Sequence, residues 1–187
     1  ASAGGAGKVT AEWMINGHIN EDLFSLDIKR FQKFHSSKKF IMERVTETLG
    51  DLYGMHWPYK QHKTSRNIKT LPYHELLIEN GACFGVSGGY ERPMWFSLNK
   101  DKPEYKYSYN FQNWYPSAEF ETKNTVQNVG LYELTPFSKF DLKGDKIYEE
   151  LQKICTANIK NEIGKSTYTH MLNEDGGIET DITVVCI

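Results

Sequence analysis

The sequence predicts an α+β fold, and three observations carry the prediction. "SSKKFIMERVTETLGDLYG" repeats apolar residues at helical spacing, whereas "STYTHMLNEDGGIETDITVVCI" alternates apolar and polar residues in two runs about a turn. Between them helical and strand-like stretches interleave without the regular βαβ rhythm of a parallel sheet. No internal repeat and no low-complexity tract interrupts the 187 residues.

In chain order, "ASAGGAGK" is a glycine-rich stretch that leads into "VTAEWMING", a short helix ending on Asn16-Gly17. A glycine-rich loop entering a helix N-terminus is a ready anion site, because unpaired N–H groups and the positive end of the helix dipole point the same way. After "NEDLFSLDIKRF" comes the long helix: Ile41, Val45, Leu49 and Leu52 share a face, Ser36 or Ser37 caps it, and Gly54 stops it. "LPYHELLIENG" is a second, shorter helix between Pro72 and Gly81. "ACFGVSG" reads as a strand leading into "GGYERPMWF", and the breaker-rich 98–104 reads as a linker. "YKYSYNF" then alternates aromatic with polar residues, "SAEFETKNTVQNVG" is helical, and "GLYELTPFSKFDLKG" is expected to give two short strands around Pro136. Ile147, Leu151 and Ile154 form one face of a further helix, and "NEDGG" joins the strands of a closing hairpin.

Composition excludes several classes of function. With 22 basic and 24 acidic residues the net charge is -2, which gives no general attraction to nucleic acid or anionic membrane. The longest apolar runs, such as "TVVCI", fall far below the roughly 20 residues of a membrane helix. Cys83, Cys155 and Cys186 lie in apolar settings with no CxxC pair, the pattern of reduced core thiols. The six histidines form no HxxxH or HExxH motif, so no metal is expected. "ASAGGAGK" lacks the regions of a signal peptide, and "TVVCI" stops while still apolar, so the expectation is an internal fragment of a longer polypeptide.

Two places invite a functional reading. In a regular closing strand Asp181 shares a face with Thr183, Val185 and Ile187, while Ile178, Ile182 and Val184 line the other. Apolar neighbours on both faces predict a desolvated carboxylate with a raised pKa, usable as a base or hydrogen-bond anchor. The alternative is a solvated strand aspartate. "GGYERPMWF", residues 88–96, is either a rigid junction between structural units or the wall of a site.

The ordered set "AGGAGKVTAEWMING", "DIKRF", "GGYERPMWF", "NWYPSAEFE", "VGLYELTPFSKFDLKG" and "YTHMLNEDGGIETDITV" resembles the dimethylglycine dehydrogenase and sarcosine dehydrogenase family across nearly the whole chain. In that family an FAD-binding amine-oxidising domain is followed by a small central segment and by a folate-binding domain similar to the glycine-cleavage aminomethyltransferase. The resemblance implies three parts: residues 1–20 end the flavin domain, 21–97 form the central connecting domain, and 98–187 open the folate domain. Gly4, Gly5, Gly7 and Lys8 become the FAD-contact candidates. Asp181 matches the carboxylate that positions tetrahydrofolate and assists proton removal from its nitrogen, and Met171, Leu172 and Tyr168 become pterin-pocket candidates. Glu91 and Arg92 are then expected to clamp the interdomain junction, with Trp95 and Phe96 packing beside them.

The chemistry the resemblance implies is oxidative N-demethylation of a small N-methylated amine, with FAD and tetrahydrofolate serving the parent enzyme and neither expected to be held by this chain alone. The chain contains no GxGxxG after a strand and no histidine matching the family's flavin attachment point. Two alternatives stand beside it: a non-catalytic regulator like the regulatory subunit of pyruvate dehydrogenase phosphatase, which shares the domain order, and a stand-alone folate-dependent aminomethyltransferase. Bacterial cytoplasm or mitochondrial matrix is the expected location.

Overall fold

The computed structural model describes residues 2–19, 21–99 and 101–187. Ala1 at the start of the glycine stretch, residue 20 at the first expected boundary, and Lys100 in the expected linker lie outside them. Helices and two small sheets make up two compact units, Ala1–Phe137 and Ser138–Ile187. The α+β class is as expected.

The first unit begins with α1 (Ala3–Asn16), which ends on Gly17 in the left-handed conformation. Gly4, Gly5 and Gly7 therefore lie inside the helix and not in a loop before it, a correction to the sequence reading. Two 3₁₀ turns, Ile28–Arg30 and Lys33–Ser36, lead to α2 (Lys38–Asp51). Ser37 is the N-cap: its hydroxyl accepts the Phe40 N–H at 3.2 Å. The expected apolar stripe of α2 stays largely open, with Ile41, Val45, Leu49 and Leu52 all exposed. Its tertiary contacts come instead from Phe40, which meets the Phe34 and His35 rings edge-on at 5.4 and 5.0 Å, and from its polar side. Arg44 donates to the Thr64 hydroxyl and carbonyl, and Glu47 accepts the Lys63 and Thr64 N–H groups at 2.6 and 2.9 Å.

Next come α3 (His74–Glu79) and an antiparallel hairpin of β1 (Ala82–Ser87) and β2 (Tyr90–Phe96). The "GGYERPMWF" motif is thus a turn plus a strand. Gly88 and Gly89 both have positive φ, 57° and 83°, as a two-residue type I′ turn requires. A Cβ on Gly89 would also lie 2.9 Å from the Phe34 ring, so the turn packs against the 3₁₀ segment too closely for any side chain. The register shifts between Cys83 and Phe84, where Pro93 and Trp95 are paired and Met94 is the extra residue. A bulge of this kind is where a strand tolerates proline, which has no N–H to give the ladder. Leu71, Ala82, Cys83 and Trp95 form the buried apolar centre of the unit.

α4 (Tyr115–Gln127) starts with Pro116 in its first turn and is tied to β2 through Glu121, whose carboxylate accepts the Phe96 N–H at 2.9 Å. The two strands expected around Pro136 do not form. Glu133 takes the Thr135 N–H and hydroxyl in a local turn, Pro136 has no N–H for a ladder, and Leu131 is fully exposed.

The second unit holds α5 (Ile147–Ile154) and the antiparallel hairpin of β3 (Ser166–Leu172) and β4 (Ile178–Val185). Asn173 organises the turn: its side-chain oxygen accepts the Asp175 and Gly177 N–H groups at 3.1 and 2.7 Å. One face of the hairpin is covered. There Thr169 is buried and its hydroxyl accepts the Ala157 N–H at 3.0 Å, Cys155 forms an isolated backbone bridge with Met171, and Cys155 and Ile159 are the buried apolar side chains of the unit.

Candidate functional site

The opening turn of α1 is unusual in composition. Glycine costs about 1 kcal/mol against alanine at a helix interior position. A Cβ added at Gly4, Gly5 or Gly7 would nonetheless meet nothing within 4 Å, so no neighbour in this chain requires their smallness. Ser2 provides no side-chain cap, and the first-turn amides of Ala3, Gly4 and Gly5 have no intrahelical acceptor. A bare, positively polarised backbone end results. Lys8 does not extend it: its ammonium lies 3.3 Å from Glu21 and 3.5 Å from Glu12, and the Glu21 hydrogen bond foremost raises its pKa.

The closing hairpin divides the predicted folate residues. His170 stands directly opposite Asp181, and Tyr168 opposite Thr183, so these four share one face. Met171 pairs with Thr180 on the opposite, covered face, and Leu172 follows the register shift beside Ile178. The Tyr168 hydroxyl donates to Asp181 Oδ2 at 3.2 Å, and the Tyr168 ring meets the His170 ring edge-on at 5.5 Å. That bond, before burial, raises the Tyr168 phenol above its ordinary pKa. Asp181 itself is exposed, so the desolvated environment expected of it is not found. The reason is that only one face of the hairpin is covered within its unit, and Asp181 is on the other. His170 was not singled out from sequence, although its two-residue spacing from Tyr168 in an alternating strand is a visible signal.

The junction motif does its ionic work differently from the expectation. Glu91 is 2% exposed. It is paired with Arg66 and not with Arg92: Arg66 Nε donates to Oε1 at 2.7 Å, an Arg66 Nη donates to Oε2, and the Asn67 N–H donates to Oε1 at 2.8 Å. Burial resists ionisation of Glu91, but these donors outweigh it and hold the carboxyl below the usual carboxylate range, while the same bond raises Arg66. Arg92 instead places its guanidinium 5.7 Å from the centre of the Phe137 ring. Nearby, burial pushes the Cys83 thiol up to about 11 and the Tyr105 phenol up to about 12, so both stay protonated at neutral pH.

Among the described residues one cluster has metal-type side chains: Glu47, Asp51 and His62, whose ligand atoms lie within 4.8 Å of one another. Lys60 Nζ sits 2.5 Å from Asp51 Oδ1, and Glu47 is occupied by the Lys63 and Thr64 donors. Burial opposes ionisation of Glu47, yet those bonds prevail and hold it at about 2. The cluster fastens α2 to the segment that carries Arg66.

Comparison with known proteins places these features in a family. Residues 73–187 match the GCVT N-terminal domain, and residues 16–70 match the FAD dependent oxidoreductase central domain. The class is thus an aminomethyltransferase-type segment preceded by the central part of a flavin oxidoreductase. The chain belongs to the GCVT N-terminal domain family, in the arrangement of the dimethylglycine and sarcosine dehydrogenases, and the resemblance drawn from its motifs holds. It is 40% identical over 182 residues to 4-methylaminobutanoate oxidase (formaldehyde-forming) of Paenarthrobacter nicotinovorans, covering 97% of this chain and 22% of that protein. It is 34% identical over 186 residues to the mitochondrial pyruvate dehydrogenase phosphatase regulatory subunit of Mus musculus, covering 97% and 21%. Mitochondrial dimethylglycine dehydrogenase of Rattus norvegicus is 28% identical over 182 residues, again with 97% and 21% covered. The chain therefore spans about a fifth of the length of the curated relatives it matches. Among the described residues no helix is long and apolar enough to cross a membrane.

Proposed function

We propose that this chain is a segment of a flavin-dependent N-demethylating dehydrogenase of the dimethylglycine or sarcosine type, which passes a one-carbon unit to tetrahydrofolate. The observation that carries the reading is the order of parts in one chain. A central flavin-oxidoreductase segment is followed directly by an aminomethyltransferase-type segment, whose closing hairpin presents Asp181 on an open face. We draw the boundary between the central and folate-type parts between residues 70 and 73, ahead of the division at 97/98 read from sequence, with residues 1–20 closing the flavin part.

The residues present suit both groups. At the flavin, the bare first-turn amides of Ala3, Gly4 and Gly5 would hold an anionic or developing negative charge, with Gly7 leaving the same helix face open. Lys8, tied to Glu12 and Glu21, would reach such a charge only by leaving them. FAD, when bound, supplies the oxidation of the N-methyl group, and the protein orients and polarises. At the second site Asp181 would orient the folate nitrogen and accept its proton, with Tyr168 beside it. Leu172 would meet the pterin from the strand end, whereas Met171, on the face away from Asp181, would support the pocket only from behind the sheet. Bacterial cytoplasm or mitochondrial matrix is the proposed location.

A second reading has its own support, since the regulatory-subunit relative is more similar to this chain than the dimethylglycine dehydrogenases are. In that reading the same fold serves regulation and no amine is oxidised. The match of residues 16–70 speaks against a stand-alone aminomethyltransferase.

The deciding experiment uses the complete enzyme with Asp181→Ala, following flavin reduction by stopped flow beside a product assay with tetrahydrofolate present. The loss is expected in the folate step alone, on the order of a hundredfold, with product diverted to free formaldehyde. Equal slowing of both steps would make Asp181 a residue of the fold. A wild-type protein that reduces no flavin with any N-methylated amine would favour the regulator.

A further inference from the structure

We infer that Tyr168 is a positioning residue for Asp181, acting through its hydroxyl, with the His170 ring fixing the tyrosine. The inference rests on the folate reading of the hairpin and assigns Tyr168 a different task from lining the pterin pocket.

The geometry separates the two tasks. Tyr168 stands opposite Thr183, one non-adjacent position along the ladder from the His170–Asp181 pair, and its ring leans along the strands so that the hydroxyl reaches Asp181 Oδ2 at 3.2 Å. The ring meets His170 at 5.5 Å with an interplanar angle of 73°, an edge-to-face contact that favours one ring orientation over free rotation. His170 in turn is directly opposite Asp181, and its backbone is anchored on both sides: its carbonyl accepts the Thr156 N–H at 3.0 Å and the neighbouring Thr169 side chain is buried. The anchored strand thus carries both rings, and the carboxylate on the more exposed partner strand is held from across the ladder.

This matters because Asp181 is exposed and no backbone N–H is seen bonded to its carboxylate among the described residues. A strand aspartate on an open face has several accessible rotamers. A single donor to Oδ2 selects among them and leaves Oδ1 free to meet a ligand nitrogen. The hydrogen bond fixes a direction that the exposed β4 backbone by itself does not.

The test uses Tyr168→Phe, which keeps the ring and removes only the hydroxyl. Tyr168 is 61% exposed, so the change leaves the core untouched. In the complete enzyme, supplied with dimethylglycine and varied tetrahydrofolate, the variant is expected to transfer the one-carbon unit about three- to tenfold more slowly at saturating tetrahydrofolate, the scale of one lost hydrogen bond. The half-saturating tetrahydrofolate concentration should stay within about twofold of wild type. A raised half-saturating concentration with an unchanged maximal rate would show that Tyr168 lines the pocket and overturn the inference, as would no change in either. A companion measurement needs only the 187-residue chain: the Tyr168 phenol, followed by NMR of ring-labelled tyrosine and assigned by its loss in Tyr168→Phe, should titrate at lower pH in Asp181→Asn. An unmoved titration would remove the contact itself. If wild type binds and uses no tetrahydrofolate while the phenol still responds to Asp181→Asn, the folate reading fails and the positioning role falls with it, although the contact stands.

Discussion

Replacing Arg66 by alanine is the most informative perturbation of the first unit, because it strands a carboxylate that is almost fully enclosed. Glu91 is 2% exposed and receives two guanidinium bonds and one amide bond. In Arg66→Ala only the Asn67 N–H remains. Removing one partner of a buried pair costs about 3–5 kcal/mol. The Arg66 side chain is 25% exposed, which lets water replace part of it, so the lower end, about 3 kcal/mol, is expected. At about 2–4 °C per kcal/mol for a chain of this size, the melting temperature should fall by roughly 6–12 °C. The pH dependence sets this mechanism apart from simple loss of packing. Glu91 is held below the usual carboxylate range in the folded chain, so its contribution is present above the ordinary glutamate pKa and is lost as pH falls through the depressed folded value. In Arg66→Ala protonation relieves the stranded charge, and the gap between variant and wild type should narrow from pH 7 toward pH 4. Paired replacement, Arg66→Met with Glu91→Leu, should recover much of the loss. Chemical denaturation and calorimetry at both pH values provide the assay. An unchanged melting temperature at pH 7, or a gap of equal size at both pH values, would refute the argument.

Further outcomes are expected elsewhere. Gly89→Ala should destabilise the chain by about 1–3 kcal/mol, because φ is 83° and the new Cβ would press on the Phe34 ring; a neutral result in thermal melts would show that the turn relaxes freely. Glu47→Gln should loosen α2 from the 60–64 segment by about 1–3 kcal/mol at pH 7. The native Glu47 contribution is fully present above the ordinary glutamate pKa and is lost progressively as pH falls from there toward about 2, so the gap between variant and wild type should narrow across that window, and a gap unchanged from pH 7 to pH 3 would contradict its depressed value. The 187-residue chain purified by itself should show no flavin absorption band, since on the proposed reading its α1 end would supply a single wall of a flavin site; a stable yellow protein would overturn this.

Local pattern made most of the fold legible. Periodicity and caps mark α2, α3, α4 and α5, and "NEDGG" marks the closing hairpin, because these signals act between residues a few positions apart; of the first hairpin the sequence reading gives β1 alone and leaves the turn and strand of "GGYERPMWF" unassigned. The failures have physical causes. Glycine was read as loop, yet Gly4, Gly5 and Gly7 continue α1, since helix propensity costs are small enough for neighbours to override. The apolar run around Pro136 had strand composition but found no ladder partner, and a strand without one is not a strand.

The order of motifs by itself determined the family and, with the alternation of the closing hairpin, the face on which Asp181 lies. Only the tertiary structure decided what those residues meet. Glu91 takes Arg66, 25 residues earlier, over its neighbour Arg92, because adjacent strand residues point to opposite faces and chain folding brings a distant guanidinium to the buried side. Asp181 remains open while Thr169 is buried, because a two-stranded hairpin covered on one face leaves the other to whatever docks there. Sequence sets parity, but which side is dry is a property of the packed whole.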